Sequence, residues 1–74
     1  MQSEPVRYRL RKQLADFLRK RRGDQTFAEF SRKLGLSSST LQRMEMMQQN
    51  VTIDSLQTLV DRLGAQMSDI FPEK

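Results

Sequence analysis

Four side chains near the middle of the chain, Ser38, Ser39, Gln42 and Arg43, have the types and the spacing of a hydrogen-bonding reader. On a helix they share one side over little more than a turn, while Leu41 and Met44 fall on the other, inner side. A guanidinium can donate two parallel bonds in one plane, and a glutamine amide both donates and accepts. Those capacities match the base edges in the major groove of duplex DNA. Arginine suits O6 and N7 of guanine, a pairing worth roughly 1–3 kcal/mol against a wrong base, and glutamine suits adenine. Serine hydroxyls donate and accept and so discriminate less. The chain holds no histidine and no cysteine, which removes a histidine base, a thiol nucleophile, disulfides and zinc-finger ligands. Its scattered Asp and Glu have no glycine-rich loop to work with. The expectation is therefore a protein that is not an enzyme and needs no cofactor or metal.

Such a reader must be held by two short helices. Thr26-x-x-Glu29 is a capping box, in which the hydroxyl and the carboxylate each accept a bond from the other residue's N–H. A helix should start there, with Phe27, Phe30, Ser31 and Leu34 on one face and Glu29, Arg32 and Lys33 turned away. Gly35 ends it, because a residue without Cβ adopts the left-handed conformation at little steric cost. Leu36 anchors the turn and Ser37 caps the second helix. Two capped helices meeting at one glycine are the layout of a helix-turn-helix, spanning Thr26 to Glu45.

Around this unit the chain of 74 residues has room for one domain. Residues 1–5 read as a flexible N-terminal arm and 6–74 as the domain. The first helix is expected from about Val6 to Arg22, with Leu10, Leu14, Phe17, Leu18 and Arg21 on its inner or boundary side. Gly23 and Asp24 stop it. Thr52 can cap a fourth helix with Ile53, Leu56, Leu59, Val60 and Leu63 on one face, ended by Gly64. Ser68 to Phe71 makes a last turn before Pro72. The fold class is all-α: five helices, compact, no strand. Met46, Met47, Met67 and Phe71 read as core filler first and as a partner surface second.

Charge is unevenly spread. Residues 1–50 carry eleven Lys or Arg against five acids, and residues 51–74 carry two against four. Eight of the thirteen basic residues lie between Arg7 and Arg22, so the basic surface belongs mostly to the first helix. Beside a helix-turn-helix such a surface favours phosphate attraction. No apolar run approaches the ~20 residues that span a bilayer, and the arginine-rich start lacks the apolar stretch of a secretory signal. A cytoplasmic protein without membrane contact is expected.

The block FSRKLGLSSSTLQRME, the following N-x-T-I-D-S-L-x-x-L-x-x-x-L-G segment and the closing S-D-I-F turn together resemble the phage-repressor-like, Cro- and XRE-type helix-turn-helix domains over roughly Ala15 to Phe71. The resemblance implies a compact five-helix domain with its third helix, about residues 38–45, in the major groove, commonly as a dimer on two half-sites. It maps base contacts onto Ser38, Ser39, Gln42 and Arg43. Glu45 falls where the family has an acid paired with a base of the first helix; allowing one extra residue in the first loop, Arg19 lines up with it as a structural ion pair. Phe27 stands where the family often has a phosphate-bonding glutamine, so phosphate contact at that helix end passes to the backbone at Thr26. No Lys or Arg occurs between Arg43 and Arg62, which leaves Gln48, Gln49 and Asn50 as neutral phosphate ligands of the loop. The remaining phosphate contacts are assigned to Arg7, Arg9, Arg11 and Lys12.

Two functions of different class follow. The first is a sequence-specific transcriptional regulator of double-stranded DNA, a repressor before an activator, acting as a homodimer. The second is a protein-interaction module, such as an antitoxin that covers a toxin and also binds its operator. Exposure of Ser38, Ser39, Gln42 and Arg43, continuous with the basic first helix, favours the first, and burial of that face by a neighbouring molecule favours the second.

Overall fold

The capping box at Thr26 sets the architecture in motion. In the computed structural model, which describes residues 6–48 and 51–72 with side chains from Tyr8 onward, Thr26 is extended and its Oγ1 accepts the Glu29 N–H at 3.1 Å. The Glu29 carboxylate returns the bond to the Thr26 N–H at 2.9 Å. The same logic starts two further helices, at Ser37, whose Oγ accepts from the Thr40 N–H, and at Thr52, whose Oγ1 accepts from the Ser55 N–H. The elements are α1 (Val6–Arg22), α2 (Phe27–Leu34), α3 (Ser38–Glu45), α4 (Ile53–Leu63) and α5 (Met67–Ile70), with no strand among the described residues. Residues 1–5, expected as an arm, lie outside the described residues.

Helix exits are as regular as the starts. After α2 the Leu36 N–H donates to the Ser31 carbonyl and the Gly35 N–H to the Arg32 carbonyl, the paired bonds of a Schellman motif, with Gly35 at φ +71°. α3 closes with the same pattern, Gln48 N–H to Arg43 carbonyl and Met47 N–H to Met44 carbonyl. There the left-handed position is filled by Met47 at φ +61°, the one non-glycine residue with positive φ among those described. An L side chain in that region costs on the order of 1 kcal/mol.

α1 packs on α3 and α5, and α2 packs on α3 and α4. The core between them is Leu14, Leu18, Phe30, Leu34, Leu41, Met44, Leu56, Leu59, Val60 and Ile70, with Phe17, Phe27, Leu36, Val51, Leu63 and Phe71 packed half-buried against it. Each fully buried Leu or Phe contributes about 1.5–3 kcal/mol of transfer free energy. Ile70 explains the existence of a four-residue helix: it is 1% exposed and closes the core.

Two expectations about packing require correction. Ile53, assigned to the inner face of α4, is 75% exposed. It is the first residue after the Thr52 cap, where the helix has not yet crossed over the core. Met46 and Met67, read as core filler, are also exposed, whereas Met47 is half-buried. Met46 follows Gln42 and Arg43 on the outward side of α3, and Met67 starts a helix whose core position is already filled by Ile70.

Candidate nucleic-acid interface

The eight residues of α3 are divided cleanly by helical periodicity. Leu41, Met44 and Glu45 are buried, while Ser39, Gln42 and Arg43 are exposed and Ser38 is half-buried. Leu41 and Met44 lock the helix against the core, and this orientation turns the other face outward. At its start, the Ser37 Oγ lies 2.8 Å from Thr40 Oγ1 and 3.4 Å from Ser39 Oγ, so the serine-rich cap is internally bonded. Gln42 and Arg43 reach into solvent one turn later. The structure thus brings the four assigned base readers together on one helix face, with Ser38 at its rim.

What fixes the angle of that helix is a guanidinium from α1. Arg22 spans the Glu45 carboxylate, with Nε 2.9 Å from Oε2 and Nη2 3.1 Å from Oε1, a bidentate pair. Its Nη1 donates to the Gln25 carbonyl at 3.2 Å, and its guanidinium lies 4.2 Å from the centre of the Phe27 ring. One side chain therefore joins the end of α1, the α1–α2 loop, the first residue of α2 and the last of α3. The bond to Glu45 raises the Arg22 pKa, against the opposing pull of its partial burial. Glu45 is a buried acid with its charge matched, which is why it can sit in a core of hydrocarbons.

This corrects the expected Arg19–Glu45 ion pair. Arg19 reaches Glu45, but at its backbone carbonyl through Nη2; its charge lies 3.7 Å from Asp16 on its own helix, with both side chains largely exposed. Arg19 and Arg22 are one turn apart on the same face of α1, so the resemblance located the face and missed the turn. The loop Gly23–Gln25 brings the final turn of α1, and not the one before it, opposite the Glu45 carboxylate. Phe27 is accounted for by the same contact: it occupies the glutamine position as the ring on which Arg22 rests.

Phosphate ligands assigned from the sequence are scattered. Thr26 has its N–H and its hydroxyl oxygen engaged in the capping box, and a phosphate approaching this end meets the Glu29 carboxylate. That carboxyl is held below its ordinary range by the Thr26 backbone N–H and then by the Thr26 hydroxyl, so it carries its charge at neutral pH. Gln48 is exposed, its N–H spent on the Arg43 carbonyl. Gln49 and Asn50 lie outside the described residues, as does the side chain of Arg7. Arg9 and Lys12 are exposed on α1. Arg11 is half-buried beside an apolar groove of about 430 Å³ shaped by Leu10, Leu14, Val51, Ile53, Met67 and Phe71. Leu10, Arg11 and Leu14 of α1 accordingly border that groove, whereas Arg19 and Arg22, nearer the C-terminal end of the helix, meet the end of α3.

Sequence reasoning passed over Arg22 and Arg62. Arg62 of α4 lays its guanidinium over the turn, 3.2 Å from where a Cβ on Gly35 would stand. The signal for Arg22 was present as the second member of an i, i+3 pair with Arg19; Arg62 left none. No group of His, Cys, Asp or Glu that could hold a metal ion occurs among the described residues. No helix among them is long and apolar enough to cross a membrane.

Residues 9–72 match the family profile described as a Cro/C1-type HTH DNA-binding domain. Comparison with curated proteins and with solved structures returned no match.

Proposed function

Because the chain belongs to the Cro/C1-type helix-turn-helix DNA-binding family, we propose that it is a sequence-specific transcriptional regulator, a repressor, that lays α3 in the major groove. The observation that carries this reading is the outward face of α3, where Ser39, Gln42 and Arg43 are exposed beside Ser38 while Leu41, Met44 and Glu45 hold the helix from behind. Arg43 reads a guanine through O6 and N7, and Gln42 an adenine. Phosphates are neutralised mainly from the basic first half of the chain, with Arg7, Arg9, Arg11 and Lys12 as ligands, and the loop adds Gln48, Gln49 and Asn50 as neutral ones. The protein acts in the cytoplasm as a homodimer on two half-sites about one helical turn apart.

Selection of bound sequences from a random DNA pool tests this directly. The expected result is a palindrome in which Arg43→Ala loses preference at one guanine position per half-site. No enrichment at low salt overturns the reading. A salt series on the selected site counts the phosphates, since each contact contributes about −0.9 to the slope of log K against log salt. Neutralising Arg7, Arg9, Arg11 and Lys12 should flatten that slope.

The apolar groove beside α1 favours a second reading, a protein-interaction module such as an antitoxin that also binds its operator. Under it, a protein partner would protect the groove whether or not the DNA selection enriches a site.

A further inference from the structure

We propose that Met46 is a further specificity-determining residue on the α3 face, and that the group it recognises is the 5-methyl of a thymine. The inference rests on the DNA reading proposed above and adds to it a base that none of Ser38, Ser39, Gln42 or Arg43 identifies. Met46 is 59% exposed, second only to Ile53 among the large hydrophobic residues described. Its place is well defined. It caps α3, and its N–H donates to the Gln42 carbonyl at 3.0 Å, so the helical path extends to it. The bonds from Met47 and Gln48 back to Met44 and Arg43 then fix the backbone on its far side.

Counted along the helix, Met46 stands seven residues after Ser39, four after Gln42 and three after Arg43, and these separations place all four on one face. The opposite face is complete, with Leu41, Met44 and Glu45 buried. A thioether on the outer face therefore adds nothing to the core. In a major groove the apolar feature on offer is the thymine methyl, and an apolar side chain is the group that meets it. Serine, glutamine and arginine present donors and acceptors, which distinguish guanine and adenine; a hydrocarbon contact adds the recognition of thymine. Methionine suits the end of the helix, farther from the groove floor than Ser39, because three rotatable bonds let the sulfur and its methyl reach inward and adapt.

The experiment uses the full chain and the site selected from the pool. Thymines in that site are replaced singly by deoxyuridine, which deletes one methyl and leaves every hydrogen bond, and binding is measured for the wild type and for Met46→Ala. The expected outcome is one thymine position at which the wild type loses about three- to fourfold on removal of the methyl, the worth of burying about one such group. Met46→Ala should bind both sites alike and melt at the wild-type temperature, since the side chain lies in solvent. A wild type indifferent to every thymine methyl, or a Met46→Ala protein that keeps the same methyl dependence, overturns the inference and leaves guanine reading by Arg43 intact. A pool that enriches no sequence overturns both.

Discussion

On the inner face of α3, Leu41, Met44 and Glu45 are buried, whereas on the outer face of the same helix Ser39, Gln42 and Arg43 stand in solvent. The inner residues are bound by their neighbours: Leu41 and Met44 by the apolar core, Glu45 by two bonds from Arg22. On the outer side Gln42 and Arg43 reach into solvent, while the Ser39 hydroxyl lies 3.4 Å from that of Ser37. Under the function proposed above, stability and recognition fall on opposite sides of eight residues, and base preference would change on one side without refolding the other. Glu45 is the instructive member, a charged residue on the stabilising side. It belongs there because a guanidinium meets both carboxylate oxygens, and the pair sets how α3 is presented.

Variants on the two faces should separate in the same way, and the largest effect belongs to the inner face. Leu41→Ala removes a fully buried side chain and should cost about 2–5 kcal/mol, a large share of the stability of so small a domain. Chemical denaturation would then show a lower midpoint. Arg22→Met leaves the buried Glu45 carboxylate without its partner. A loss of about 2–3 kcal/mol is expected, below the full penalty of a buried pair because the Arg22 side chain retains 24% exposure. Arg19→Met, which loses one bond to a carbonyl and an exposed contact with Asp16, should cost less than about 1 kcal/mol. If Arg19→Met proves the more damaging of the two, the geometry assigned to Glu45 is wrong.

A smaller effect is expected at the entrance to α2. The Glu29 carboxyl has its pKa lowered in the folded state, so its stabilising contribution is complete above the ordinary value of 4.5 and is lost as pH falls below it, through the lowered value. Melting curves of wild type and Glu29→Gln should differ at neutral pH and converge in acid. Divergence on acidification would show that the capping box does not carry the charge. Smallest of all in stability are the outer-face changes. Arg43→Ala and Ser39→Ala should leave the midpoint within about 0.5 kcal/mol of the wild type, while Arg43→Ala forfeits roughly 1–3 kcal/mol of base discrimination. An Arg43→Ala protein that unfolds easily would blur the division between the faces.

Local features of this fold were legible in the sequence because each is decided within a few residues. Thr26 with Glu29, Ser37 and Thr52 announce helix starts through their own hydroxyls, and Gly35 and Gly64 announce ends through the backbone. The division of α3 into faces follows from period alone. Arg22 was not legible as the partner of Glu45, because the choice between it and Arg19 depends on how the loop Gly23–Gln25 closes, and a shift of one helical turn is invisible in a pattern that repeats every turn. Ile53 was misplaced for a related reason. Periodicity assigns a face to every position of a helix, but at the ends the neighbouring elements no longer cover that face. Nor did any sequence signal mark Met47 as left-handed, since a methionine there is accepted against its own preference.

The run Arg19-Lys20-Arg21-Arg22 looks like interchangeable positive charge, yet its members are unequal under exchange. Arg22 uses Nε, Nη1 and Nη2 on three oxygens and its flat face on the Phe27 ring. An ammonium is a point charge with neither the plane nor the fork, so lysine would satisfy at most part of that set. Arg19 makes one bond to a carbonyl, which an ammonium can also make. A population of this chain drifting under selection for folding should therefore let arginine and lysine trade places at 19 and 20 while holding 22 to a single amino acid.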